Sequence, residues 1–315
     1  MRAAVILRCG DSPAVVERDA PGPGEGEVAV RVTAASITPL DLLCASGGSY
    51  FGVPSTPYVP GVQGVGELTD GTAVWFPTGA GMRAGDGSMA EQAVVRTGDL
   101  VPLPVGVDQR LVAALGLSAV AALMALTRRG GLREGEQVLV LGGGGVVGQA
   151  AIQLALLGGA SRVIATARST AAQERARRAG AAEVVSTEAT DLTDALRAAA
   201  GGPVDLVVDP LFGQPAAAAL RTLRPGGRLV NLGSSAGETA PFDSATLRSG
   251  TLSVLGYTNN DLTAEERATA IRTIAEHVVA GRLTLDHEAV PLDRAGEAWT
   301  RQANGTVDRR IVLVP

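Results

Sequence analysis

The apolar positions of this chain fall into two textures. Over about the first 110 residues they come in short runs broken by Gly and Pro: "VAVRVTAASI", "GVGELTD", "GTAVWFP" and "MAEQAVV". Runs of this length and spacing predict the short strands of a small, irregular β-barrel rather than a layered α/β domain. From "DQRLVAALGLSAVAALMAL" onward the apolar spacing turns helical. Alternating units follow: a strand at Val138–Leu141, a helix from Val146, a strand at Arg162–Ala165, a helix near Thr170–Ala179 and a strand at Glu183–Val185. After a further helix come "VDLVVD", a helix at Pro215–Leu223, "GRLVNLG" and "TLSVLGY". Strands separated by helices of that length predict a parallel sheet with right-handed crossovers. The last part of the chain adds a helix, Ala264–Ala280, and two short strands ending in "RRIVLVP"; no internal repeat is evident.

Composition narrows the field. With 315 residues, 46% of them hydrophobic and 19% charged, the chain is long enough for two domains with their own cores, and nothing reads as disordered. A net charge of −5 with scattered basic residues argues against nucleic acid or an anionic membrane as partner. No apolar run approaches the ~20 residues of a membrane span. The start, "MRAAVILRCGDSP", passes from a short apolar patch straight into polar turn residues, so no signal peptide is expected. Cys9 and Cys44 make no disulfide framework. The expectation is a soluble cytoplasmic protein. All 27 basic residues are arginine, which excludes a Schiff-base lysine, a phosphate-loop lysine and a Tyr-x-x-x-Lys pair. The two histidines, His277 and His287, read as solvated or structural.

Within "LGGGGVVGQ" the pattern G-x-G-x-x-G fits Gly143, Gly145 and Gly148, with Val146 and Val147 between. The motif follows an apolar strand and opens a helix, the context that gives it meaning. The first glycine is expected to permit the tight turn, the second to let a pyrophosphate approach, and the third to let helix pack on strand. The phosphates would then sit on the helix N-terminus. A glycine-rich turn that binds nothing is the alternative. In an NAD-selective domain an acid stands about 20 residues on, at the ribose 2′-hydroxyl. Here the second strand ends "VIATARST", with Ala167 at that place and Arg168 next. An arginine can pair with a 2′-phosphate that a carboxylate would repel, and Ser169 could add a hydroxyl donor. NADPH is favoured, with a solvated surface arginine as the alternative.

"GLREGEQVLVLGGGGVVGQAAIQLA", "LRPGGRLVNLGSSAG" and "GEVAVRVTAASITPLDLLCASG" resemble the medium-chain dehydrogenase/reductase superfamily. Within it, the chain is most similar to the zinc-independent quinone oxidoreductases. The resemblance implies a Rossmann doubly wound parallel sheet (119–256) inserted into a GroES-like β-barrel substrate domain (1–118 and 257–315). Nicotinamide and substrate would meet in the cleft between them. Zinc-containing relatives carry a cysteine before an aspartate and a later Gly-His-Glu; this chain has Thr38 ahead of Asp41, and Val62 and Gln63 in "PGVQGVG". Those residues cannot supply the thiolate and imidazole of catalytic zinc. Cys44 lies too late for the ligand position and reads as a buried small hydrophobe. The expected site is metal-free.

Without zinc, the better substrate delocalises an incoming hydride's charge by itself, as quinones and α,β-unsaturated carbonyls do. The resemblance points to "SITPLD" and "SGGSYFG" as the wall facing the nicotinamide. Many relatives have asparagine where this chain has Thr38, whose hydroxyl is the candidate replacement. Tyr50 is a donor or stacking platform, or else a loop tyrosine covering the core. Asp41 braces the site or caps a helix. For the cofactor, Ser118 in "ALGLSA" would lie beneath the nicotinamide, and Gly233 and Ser234 in "NLGSSAG" at the carboxyl edge of the sheet. Gly256 and Tyr257 in "VLGYTNN" would meet the carboxamide, and Arg310 the pyrophosphate. The leading expectation is an NADPH-dependent quinone reductase. The alternatives are an enoyl reductase acting on an enone or thioester, and a non-catalytic NADPH-binding sensor. For the enoyl-thioester reading, the region Gly79–Gly87 with Arg83 is a candidate lid, too glycine-rich to assign from sequence. A homodimer through the edge strand "TLSVLGY" is expected.

Overall fold

The computed structural model describes residues 1–315. The chain divides into two compact units, Met1–Gly116 with Thr263–Pro315, and Leu117–Leu262. Residues 257–262, expected in the barrel, belong to the second unit because they are tied to it. Tyr257 N donates to the Asn231 carbonyl at 2.8 Å, and Asn259 Nδ2 to the Leu117 carbonyl at 2.9 Å.

The second unit is built on a six-stranded, wholly parallel sheet. Its order is Glu183–Ser186, Arg162–Ala167, Gln137–Val140, Val204–Asp209, Leu223–Asn231 and Ser253–Gly256. The first strand in sequence thus stands mid-sheet, and the strand order reverses beside it, the point where open α/β sheets bind ligands. Helices Val146–Leu157, Thr170–Arg178, Leu192–Ala200 and Gly213–Leu220 link successive strands. The helix expected at Pro215–Leu223 starts and ends earlier, and Leu223 already belongs to the next strand. The central strand "VDLVVD" is apolar almost throughout because it is buried on both faces. Leu139, Leu141, Ile164, Leu196, Leu220 and Leu229 form the core; each such side chain contributes about 2 kcal/mol on burial.

In the first unit a seven-stranded sheet runs His287–Pro291, Arg310–Val314, Glu27–Ser36, Gln63–Glu67, Ala73–Pro77 and Val101–Pro102, with Gln92–Arg96 also paired to Glu27–Ser36. All its pairings are antiparallel except that of His287–Pro291 with Arg310–Val314. Trp75 and Phe76, side by side in "GTAVWFP", are both fully buried. Helix Ala264–Val279 opens with a capping box in which Thr263 and Glu266 satisfy each other's backbone N–H. The helix Ala295–Ala303, which the apolar pattern did not announce, buries Trp299.

The expectation that no apolar stretch reaches the length of a membrane span needs correction. The helical stretch Gln109–Arg129 is long and apolar enough, by length and composition, to cross a membrane: 21 residues at a mean hydropathy of 1.9. Of that stretch 56% is buried inside the protein, as a core helix would be. The helix is kinked at Gly116, whose φ of 32° and ψ of −130° are not helical. A Cβ on Gly116 would lie 2.1 Å from Gln63 Oε1, so only glycine fits there.

Candidate functional site

In the second unit the sheet's first strand ends in the glycine loop. The left-handed residue is Gly142, at φ +66°, one position before the glycine expected to make the turn. Gly143 is needed for closeness instead: a Cβ on it would lie 2.7 Å from Ala165 Cβ. The loop is pinned to the neighbouring strand, since Gly142 N donates to Thr166 Oγ1 at 3.1 Å and Gly143 N to the Thr166 carbonyl at 2.7 Å. Gly148 faces the loop so tightly that a Cβ would stand 2.2 Å from the Gly142 oxygen. Gly145 differs, being exposed, with nothing nearer to an added Cβ than the Gly142 oxygen at 3.5 Å. It is the N-cap of helix Val146–Leu157 and supplies no side-chain cap. The N–H groups of the first turn, at Val146, Val147 and Gly148, therefore present the helix's positive end to an anion.

At the end of the second strand Ala167 is buried, whereas Arg168 is exposed and makes no hydrogen bond or ion pair. Ser169 caps helix Thr170–Arg178, its Oγ accepting from Ala172 N at 3.2 Å. That bond uses an oxygen lone pair and leaves the O–H to donate elsewhere. Arg175, which the sequence did not single out, reaches the glycine loop and donates from Nε to the Gly144 carbonyl at 3.0 Å.

The carboxyl edge holds a second set. Asp209, fully buried at the end of its strand, accepts from Leu211 N at 2.9 Å and Phe212 N at 2.8 Å, and from Asn231 Nδ2 at 3.1 Å. Burial pushes its carboxyl above the usual range, against the pull of these donors. The bonds secure Phe212 at φ +58°, a left-handed value uncommon for a bulky side chain. Asn231 also donates to the Gly233 carbonyl at 2.7 Å, and a Cβ on Gly233 would lie 2.8 Å from the Pro210 oxygen. Ser234 donates to Glu238 at 2.6 Å. The Gly256 carbonyl accepts from Arg129 Nε at 2.8 Å. The structure joins Tyr257 to the segment of Ser118: Tyr257 donates its hydroxyl to Asn259 at 2.7 Å, and Asn259 donates to Leu117, the neighbour of Ser118. Sequence reasoning did not single out Asp209, Asn231 or Asn259.

In the first unit Thr38 and Asp41 form a capping box on helix Pro39–Ala45. The Thr38 hydroxyl donates to Asp41 Oδ2 at 2.6 Å and accepts from Asp41 N at 3.2 Å. It is buried and spent, so the hydroxyl expected to face a substrate is committed to the cap. Asp41, 2% exposed, also accepts from Gly61 N at 3.1 Å and Val62 N at 2.9 Å. Burial raises its carboxyl above the ordinary value, while Thr38, Val62 and the nearby Arg310 pull it down. Arg310 itself is 5% exposed, donates to the Ile37 carbonyl at 2.8 Å, and is pushed down to about 10 by burial. Arg310, expected on the pyrophosphate, is thus enclosed in the first unit's interior, where the charge of Asp41 offsets part of its burial.

Gln63 is likewise enclosed, donating to Ser36 at 3.1 Å and the Ala113 carbonyl at 3.2 Å and accepting from Trp75 at 3.3 Å. Tyr50 stands out, 79% exposed and packed against Phe51 with ring centroids 4.4 Å apart. Cys44 is buried, and desolvation raises its thiol. No group of three or more His, Cys, Asp or Glu side chains in the structure could hold a metal ion.

A family profile described as "Zinc-binding dehydrogenase" matches residues 146–276, a span without positions 38, 62 and 63. The chain is 31% identical over 243 residues to the quinone oxidoreductase of Rattus norvegicus, covering 74% of this chain and 73% of that protein. It is 29% identical over 309 residues to a phenolphthiocerol/phthiocerol polyketide synthase protein of Mycobacterium tuberculosis, covering 92% of this chain but spanning only 14% of that relative's length. Among solved structures, the quinone oxidoreductase from Thermus thermophilus, determined also in complex with NADPH, matches at 30% identity and TM-score 0.81, covering 100% of each chain. With a Rossmann unit and a GroES-like barrel unit in one chain, this protein belongs to the medium-chain dehydrogenase/reductase superfamily, beside its quinone oxidoreductases.

Proposed function

We propose that the chain is an NADPH-dependent reductase that passes hydride from the nicotinamide to a quinone. The observation that carries the reading is Arg168, an exposed cation without an ion pair at the end of the second strand, beside the Ser169 hydroxyl. A dianionic 2′-phosphate suits that pair, and an unmodified ribose would leave the charge unused. The NADPH complex of the Thermus thermophilus relative supports the same choice.

The glycine loop fits a dinucleotide. Gly145 leaves the backbone open, and the helix behind it has no side-chain cap to displace. Gly145, Val146, Val147 and Gly148 would hold the pyrophosphate, with Gly143 giving the loop its shape. Gly233, Ser234, Gly256, Tyr257 and Ser118 would line the nicotinamide end. When bound, the nicotinamide supplies the hydride. The protein orients the cofactor, and Asp209 with Asn231 holds the turns at the sheet's carboxyl edge in one arrangement. Thr38, Val62 and Gln63 offer neither thiolate nor imidazole, so a zinc-independent acceptor that delocalises charge is favoured. With Thr38 committed to Asp41, Tyr50 is the remaining candidate among the expected residues to donate to the developing oxyanion.

A second reading, reduction of an enone or enoyl thioester, is favoured by likeness to a polyketide synthase protein over 92% of the chain. The outer edge of Ser253–Gly256 is unpaired, which supports pairing with a second copy; size-exclusion chromatography with light scattering tests it. The acceptor is tested by following the absorbance of NADPH with an ortho-quinone, a para-quinone, a simple enone and a crotonyl thioester. Turnover on the quinones is expected. Turnover on the thioester alone replaces the acceptor, and NADPH binding without turnover on any of them removes the enzymatic reading in favour of a sensor.

A further inference from the structure

Helix Thr170–Arg178 packs directly on the glycine loop. A Cβ on Gly144 would lie 2.5 Å from Ala172 Cβ, so only a glycine opposite an alanine allows that approach. Arg175 stands one turn further along, on the face it shares with Ala172. Its Nε bond to the Gly144 carbonyl fixes the plane of the guanidinium beside the loop. Its two Nη groups have no protein acceptor. A neighbouring arginine of the same helix, Arg177, spends its charge on Glu174 at 3.7 Å. Arg168 belongs to the same neighbourhood, because Thr166, two residues before it, receives both backbone bonds from Gly142 and Gly143. One arginine is therefore tied to the loop through its strand and the other through its own side chain.

We propose that Arg175 is a specificity-determining residue for the adenosine end of the cofactor. It supplies, with Arg168, the charge that holds a 2′-phosphate, while its Nε bond keeps the loop in register. The inference rests on the NADPH reading above. Two guanidinium groups around one phosphate offer charge-assisted bonds that a ribose hydroxyl cannot use.

The test is calorimetric titration of the full chain with 2′,5′-ADP and with 5′-AMP, for wild type, Arg168→Gln, Arg175→Gln and Arg175→Lys. Arg175→Gln keeps an N–H for Gly144 but loses the charge; Arg175→Lys keeps the charge and loses the planar fork. Arg175→Gln is expected to weaken 2′,5′-ADP about tenfold, the scale of one charge-assisted bond, and to leave 5′-AMP within about twofold. Arg175→Lys is expected to recover most of the loss. Equal weakening of both ligands by Arg175→Gln, or no recovery by Arg175→Lys, would reduce Arg175 to a loop fastener and overturn the proposal. A wild type that binds the two ligands alike overturns the NADPH reading and this inference together. Loss with Arg168→Gln but none with Arg175→Gln leaves that reading standing and removes this one.

Discussion

Replacing Gly148 and Gly145 separately by alanine should pull apart two things that a nucleotide loop does, packing and binding. On Gly148 the new Cβ would lie 2.2 Å from the Gly142 oxygen, 2.7 Å from Gly143 Cα and 2.8 Å from Gly142 C. All three are backbone atoms of a loop pinned at Gly142 and Gly143 to Thr166, so no flexible side chain can yield. Relief requires the loop or the helix to shift by roughly 1 Å, and such overpacking costs about 1–3 kcal/mol. For a protein of this size that lowers Tm by about 3 °C at 2 kcal/mol. On Gly145 the nearest atom would be at 3.5 Å, and the backbone, at φ −80°, is open to any L-residue. Loss of a glycine N-cap and reduced freedom of the unfolded chain offset each other within about 1 kcal/mol. The methyl would nevertheless stand on the surface the pyrophosphate must approach. Differential scanning calorimetry and NADPH titration read both effects. Gly148→Ala should lose both stability and affinity; Gly145→Ala should keep its Tm within about 2 °C and lose at least about tenfold in affinity. Unchanged NADPH affinity in Gly145→Ala would refute the phosphate cradle. An unchanged Tm in Gly148→Ala would refute the packing argument.

Further outcomes follow from the other polar groups. Asp41→Ala removes the acceptor for Thr38, Gly61 and Val62 and leaves those buried donors unpaired; urea unfolding should show a loss of about 2–4 kcal/mol, and a loss under about 1 kcal/mol would contradict the cap. Gln63→Glu sets a carboxylate against the Ala113 carbonyl, where an amide now donates, and should cost about 2–4 kcal/mol by the same assay. Asp209→Ala frees the strained turn at Phe212; NADPH affinity should fall together with stability, and a fall in stability alone would separate this pair from the cofactor. Asp243, bonded by Thr246 and paired with Arg221, is held down to about 2. Its contribution to stability should be fully present above the ordinary carboxylate value and lost as pH falls through about 2. A carboxyl NMR titration placing it at or above the ordinary value would refute that.

The α/β texture of the second unit is legible because each strand there is short, apolar and bounded by turn residues, and the glycine motif sits where strand meets helix. The fate of Thr38 is legible too: "TPLD" has the spacing of a capping box, a local signal that outweighs the expected role in place of asparagine. Other features have no local signal. Arg310 meets Ile37 across 273 residues of chain, and Arg175 meets Gly144 across 31. The turn glycine is Gly142 rather than Gly143 because the loop's register is set by Thr166 on the next strand. The apolar stretch Gln109–Arg129 looks too short in sequence because Gly116 and scattered polar residues interrupt it; the chain kinks at Gly116, and helical structure resumes on its far side.

The measurement that bears most directly on the central claim is kcat/KM for NADPH and for NADH with one ortho-quinone as acceptor. The account predicts quinone-dependent oxidation of NADPH at a kcat/KM at least about tenfold above that for NADH, about 1.4 kcal/mol of transition-state preference carried by the 2′-phosphate. Equal use of NADH, or bound NADPH that is never oxidised by the quinone, would contradict it.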